Sequence, residues 1–262
     1  MNVYVAGNGP KTLVFLSGSG TSSPILDFKS LYSKLVKDYR VVVVEKFGYG
    51  FSDDWSKDRD LDTILSQTRK ALQKADVKGP YVLLPHSMSG LEALHWSASY
   101  PKEVEAIIGL DMSLSQAYDK YRSNRLLYKT LQLAANLGLS RWLYSPDKEI
   151  HSLSNGSLNL KERSIYKALF YRRPLSNAII KEAEEVKSNA KLVKQDKFPA
   201  IPYLLFVSNG QGTGFAKQDW QDMSKDFAKE HKNVQLKSFD VPHYIHSYIP
   251  GELAKEIRKF LK

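Results

Sequence analysis

YVLLPHSMSG, Tyr81 to Gly90, carries an apolar run into a turn of small residues built around one serine, Ser87. The segment that follows, LEALHWSASYP, has Leu91, Leu94 and Ala98 at helical spacing, with Pro101 marking the end. A buried strand that turns sharply into a helix needs small residues two before and two after the turn, because strand, turn and helix approach closely. Pro85 and Ser89 occupy those places. In such a turn the serine hydroxyl is exposed with the helix N-terminus behind it, which makes Ser87 a nucleophile candidate. The same residues also suit an ordinary strand leading into a helix capped by Ser87 or Ser89.

Outward from this stretch, EAIIGLD follows at Glu105 to Asp111, and upstream lie TLVFLSGSG (Thr12 to Gly20) and YRVVVVEKFGYGFSD (Tyr39 to Asp53). Continuous apolar runs of this kind suit a parallel sheet buried on both faces. Ile25 to Val36 and Leu61 to Ala75 carry apolar residues at three- and four-residue spacing and read as helices between strands, so the expected class is α/β, with a mostly parallel central sheet flanked by helices. From Met112 to Ala200 this rhythm gives way to helical patterns, and it resumes with IPYLLFV at Ile201 to Val207.

The 262 residues, 42% hydrophobic, suffice for one large core. The absence of cysteine excludes disulfides and thiolate chemistry. No apolar run reaches the ~18 residues of a membrane span, and the N-terminus lacks a basic-then-apolar signal pattern, so the chain as written reads as soluble and cytoplasmic. No Cys/His cluster or HExxH pattern points to a metal, and GQGTG, Gly210 to Gly214, lacks the Lys-Ser/Thr of a phosphate loop.

Four landmarks in order make the chain resemble the α/β-hydrolase family over essentially its whole length. SGSG is similar to the family's HGxG oxyanion loop, with Ser17 in place of histidine, and FGYGFSD to its G-x-G-x-S turn. PHSMSG resembles its G-x-S-x-G nucleophile elbow with both flanking glycines replaced, and VPHYIHSYIPGELAKEIRKFL its histidine loop and last helix. The resemblance implies a core of residues 1–111 and 201–262, with 112–200 inserted as a helical cap over the active site. It also implies a pair of strands before TLVFL, where MNVYVAGNGP supplies one. Either the protein begins there, or an upstream piece carries a further strand and a membrane anchor.

The resemblance assigns roles residue by residue. Ser87 is the nucleophile, and His243 is favoured over His246 as the general base. The loop that carries the acid in most members, SNGQGTGF at Ser208 to Phe215, contains none; the minority position, at the end of the strand before the cap, holds Asp111. Asp219 is the fallback. The backbone N–H groups of Ser19 and Met88 form the implied oxyanion hole. His95, His151 and His231 read as packing or surface histidines. No cofactor is required.

The implied function is hydrolysis of a small or medium-chain, lipid-like ester through an acyl-enzyme. Amide, peptide, thioester and carbon–carbon hydrolysis on the same triad remain open, as does a ligand receptor with a vestigial triad. Serine at the elbow argues against the family's epoxide hydrolases and haloalkane dehalogenases, which use aspartate there. Tyr118, Tyr121, Trp142 and Tyr144 are candidates for an acyl pocket or for cap core. Residues 112–200 hold 16 Lys+Arg against 8 Asp+Glu, which is +8 of the chain's +10. Such a basic cap suits an anionic membrane surface or acidic substrates, or is a set of solvated helix faces. Nucleic-acid binding is not expected, since no binding motif accompanies the charge.

Overall fold

Seven strands, β1 (Asn2–Ala6), β2 (Thr12–Leu16), β3 (Arg40–Glu45), β4 (Tyr81–Ser87), β5 (Val104–Met112), β6 (Tyr203–Val207) and β7 (Val234–Ser238), form one sheet in the order β1-β3-β2-β4-β5-β6-β7. The computed structural model describes residues 1–139, 144–172 and 175–262. The first strand pairs antiparallel with β3 at the sheet edge, and every other pairing is parallel. The apolar runs fail to alternate because both faces are covered. Val14, Leu16, Val42, Val44 and Leu83 belong to one core and their neighbours Leu13, Phe15, Val41, Val43 and Val82 to the other.

Helices α1 (Pro24–Asp27), α2 (Lys29–Leu35), α3 (Leu61–Lys74) and α4 (Ser89–Ser99) connect the strands up to β5. The periodicity over Ile25 to Val36 predicts one helix, but the structure breaks it at Phe28, which is buried with its ring 5.2 Å from that of Phe15. Between β5 and β6 lie α5 (Arg125–Asn136), α6 (Pro146–Glu149), α7 (Leu160–Arg172) and α8 (Asn177–Val193). The last of these is no detached element: Val186, Ala190 and Val193 join the core that holds Leu61, Leu65 and Leu91. Helices α9 (Lys217–Glu230), α10 (Ile245–Tyr248) and α11 (Pro250–Phe260) complete the chain. Among the described residues no helix is long and apolar enough to cross a membrane.

Chain order reverses beside β2, with β3 on one side and β4 on the other. The loops after β2 and β4 therefore diverge, and a crevice opens outside the carboxyl ends of the strands. Ser19, Ser87, Asp111 and Ser208 all lie at or just beyond those ends.

A second junction ties α1 to the segment after β5. Asp27 is buried and accepts hydrogen bonds from Ser152 Oγ, at 2.7 Å, and from the Tyr166 hydroxyl. Burial outweighs these bonds and pushes its carboxyl up to about 6. The folded chain thus holds a proton that the unfolded chain releases from about pH 4 upward. The corresponding stability is present below the unfolded value and is lost as pH rises to 6, up to about 3 kcal/mol in all. Asp27→Asn, which keeps the shape and needs no proton, should stabilise the protein by about 1–3 kcal/mol at pH 8. Urea unfolding at pH 4 and pH 8 checks this: the advantage should vanish at the lower pH, and an equal difference at both would contradict the protonation account.

Candidate active site

Ser87 ends β4 with φ +54°, a left-handed backbone that costs a non-glycine residue of order 1 kcal/mol and persists only where the surroundings enforce it. Two contacts do so. A Cβ on Gly18 would lie 2.6 Å from Ser87 Cβ, so only glycine lets the loop after β2 approach this closely. Ser89, in place of the usual second glycine, donates its hydroxyl to the Ser17 carbonyl and accepts from Lys46 Nζ at 3.3 Å. The side chain that replaces glycine therefore fastens the elbow to β2. Pro85 is accommodated opposite Leu16, near the end of the β2–β4 ladder.

Asp111 is positioned by an irregularity in β5. The β4–β5 register pairs His86 with Leu110 but Ser87 with Met112, so Asp111 is the extra residue of a bulge, with φ +53°. Its carboxylate is fully engaged. Oδ1 accepts from the Ser208 backbone N–H at 2.6 Å and from Trp220 Nε1 at 2.9 Å, and Oδ2 meets His243 Nδ1 at 2.5 Å. With Nδ1–H donated to Asp111, the imidazole of His243 keeps a lone pair on Nε2.

His243 is buried, and its backbone N–H donates to Gln211 O at 2.9 Å, which anchors the loop to the turn after β6. Rings pack around it: His86 at 4.6 Å and Trp220 at 5.6 Å between centroids. Burial, then the neighbouring His243 and His246, pushes His86 well below the ordinary imidazole range. The same causes, burial and His243, push His246 down to about 3. Both therefore stay neutral beside His243, and His246, packed on Phe28 at 4.7 Å, makes no contact with Asp111.

Ser19, Ser87 and His243 line one cleft of about 790 Å³, walled by Tyr118, Tyr121 and Trp220. The Ser19 hydroxyl bonds to Tyr49, whose own hydroxyl donates to Glu182 at 2.5 Å. Met88 is the N-cap of α4 directly after Ser87, and it lines a small cavity with Lys46 and Glu182 rather than the cleft. Asp219 also lines the cleft, but it is exposed in the first turn of α9 and does not pair with His243. Tyr144 lies outside the cleft, stacked on Phe170 at 5.4 Å, and Trp142 lies outside the described residues. His95 sits between Asp62, at 3.0 Å, and Asp196, at 2.9 Å. Trp220, His86 and Tyr49 carry no functional signal in the sequence. Only their buried neighbours mark them, and no local pattern does.

Trp220→Phe keeps the ring and removes one donor from the buried Asp111 carboxylate. It should lower the free energy of unfolding by about 1.5–3 kcal/mol. Chemical denaturation of the two proteins checks this, and unchanged stability would mean that the bond is not a structural constraint.

The family model described as the alpha/beta hydrolase fold matches residues 11–221. The chain is 34% identical over 269 residues to the uncharacterized protein YbdG of Bacillus subtilis (strain 168), an alignment covering all of this chain and 82% of that one. Over 108 residues it is 27% identical to the uncharacterized protein YqjL of the same organism, covering 41% of this chain and 42% of the other. Among solved structures, a thermophilic esterase from Thermogutta terrifontis superposes with TM-score 0.70 at 15% identity, over 99% of this chain and 92% of that one. A Bacillus megaterium epoxide hydrolase superposes with TM-score 0.71 at 13% identity, over 99% and 96%. At such identities the structures share the fold alone. The family match over 11–221 and the seven-stranded, mostly parallel sheet together place this chain in the alpha/beta hydrolase fold family.

Proposed function

We propose that the protein is a serine hydrolase that cleaves a small or medium-chain carboxylic ester through an acyl-enzyme. The observation that carries this reading is the His243–Asp111 pair, 2.5 Å apart, with His243 lining the same cleft as the strained Ser87. Ser87 Oγ attacks the ester carbonyl carbon while His243 Nε2 takes its proton, and Asp111 holds the ring and stabilises the imidazolium. The tetrahedral oxyanion is held by the backbone N–H groups of Ser19 and Met88. His243 then returns the proton to the departing alkoxide, and the C–O bond breaks to leave an ester on Ser87. Water, deprotonated by His243, attacks that ester; Ser87 recovers its proton and the carboxylic acid leaves.

Serine at the elbow supports this chemistry over that of the family's epoxide hydrolases and haloalkane dehalogenases, for which the resemblance implies aspartate at that place. The aromatic wall of Tyr118, Tyr121 and Trp220 suits an apolar acyl chain. In this reading residues 112–200 form a cap over the cleft and the remainder forms the core; Gln116 to Tyr121, just after β5, already line one side. Neither a metal nor an organic cofactor takes part in the scheme.

Hydrolysis of p-nitrophenyl esters from acetate to laurate tests the reading. The wild type should turn over with a chain-length optimum, while Ser87→Ala and His243→Ala should each lose at least about a thousandfold in kcat/KM. Turnover that survives in Ser87→Ala would remove the serine mechanism. No turnover by the wild type on esters, thioesters or amides would leave the cleft as a ligand receptor.

A further inference from the structure

Among the described residues, helix α5 leaves its apolar side unpartnered. Leu126, Leu133 and Leu137, at steps that place them on one face, are 80%, 60% and 70% exposed, and Leu127 and Leu131 beside them are also open to solvent. Of the twelve exposed large hydrophobic side chains among the described residues, seven fall between Leu126 and Tyr144. Tyr128 and Ala135 face inward instead, and the Tyr128 hydroxyl meets that of Tyr121, a cleft residue, at 2.7 Å. The inward side of α5 therefore meets the wall of the cleft, and the leucine face lies on the opposite side of the helix.

Charge borders this face. Lys120, Arg122, Arg125 and Lys129 are exposed around the start of α5, against one acid, Asp119, in the same stretch. Asp119 pairs with Lys194, and Arg125 reaches Glu184 at 3.2 Å while remaining largely exposed. Lysine 129 lies one turn from Arg125 on the flank of the leucine stripe, hydrogen-bonded to Gln132 and Asn177. A helix with leucines on one side and cations along the border has the anatomy of an element that lies in a membrane interface, its apolar side sunk roughly 5–10 Å among the acyl chains. The cations then sit at the level of the headgroups. A second copy of this chain is a poorer occupant, because α5 carries no acid with which to meet these cations.

We propose that α5 docks the protein onto the surface of an anionic phospholipid bilayer, with the leucine face inserted and the bordering cations at the headgroup layer.

The experiment is flotation of the Ser87→Ala protein, which binds without turnover, with vesicles of phosphatidylcholine alone and of phosphatidylcholine mixed with phosphatidylglycerol. Flotation is expected with the mixed vesicles and should be at least about tenfold weaker with phosphatidylcholine alone or at high salt. A triple Leu126→Ser, Leu133→Ser, Leu137→Ser variant should lose at least about tenfold in binding at unchanged thermal stability, since all three side chains are already in water. Lys120→Gln with Arg122→Gln should weaken only the anionic component. Absence of flotation with the mixed vesicles, or equal flotation of the leucine variant, would overturn the proposal. So would a dimer in light scattering that the leucine variant dissociates, because the face would then belong to a second copy. Vesicle binding does not depend on turnover, so failure here and failure of the ester assay are separate results.

Discussion

The Asp111 carboxylate is the constraint on which the site depends. One group at the end of β5 accepts from the start of the turn after β6, from an indole on α9 and from the imidazole that precedes α10. Three segments far apart in sequence are thereby fixed to one strand end. Because Asp111 is buried, each donor offsets part of the cost of taking its polar oxygens out of water. The bulge that creates this arrangement also gives Asp111 a left-handed backbone, as the elbow does for Ser87, so two strained residues end neighbouring strands of the sheet.

Beneath the elbow lies a second polar assembly. Lys46, buried at the end of β3, sits 3.4 Å from Glu92 and 3.9 Å from Glu182, and Arg59 pairs with the same Glu182. Burial disfavours the charge on Glu182, yet Lys46 and Arg59 outweigh it and hold the carboxyl below the usual range. Two cations and two carboxylates leave the set neutral, the condition under which buried charges are tolerable. Glu182 belongs to α8, Glu92 to α4, and Tyr49 links Glu182 to Ser19. The segment between β5 and β6 is thus joined to the loop beside Ser87 through hydrogen bonds as well as through apolar packing.

The sheet was legible because its strands are short apolar runs separated by glycine-rich turns, and a run buried on both faces has no competing amphipathic interpretation. Asp111 was reached through the family resemblance, which implies two positions for the acid, one of them the loop from Ser208 to Phe215, where none is present; the structure adds that this loop still contributes, through the Ser208 N–H. Trp220 was not legible. Its helix reads as an ordinary amphipathic one, and its partner lies 109 positions away in the chain. The break at Phe28 escaped for a similar reason, because helical spacing persists on either side and the ring's partners, Phe15 and His246, lie elsewhere in the chain. The exposure of the α5 leucines was likewise hidden, since an apolar stripe in a sequence implies a face and not what covers it.

The proposed mechanism makes Ser87 a nucleophile activated through His243 and Asp111. Its most direct measurement is peptide mapping by mass spectrometry after treatment with a fluorophosphonate, on the wild type and on Asp111→Asn. One phosphonyl group on Ser87, formed far more slowly in the variant, is the result predicted. A modification at another residue, or equal rates in the two proteins, would contradict it.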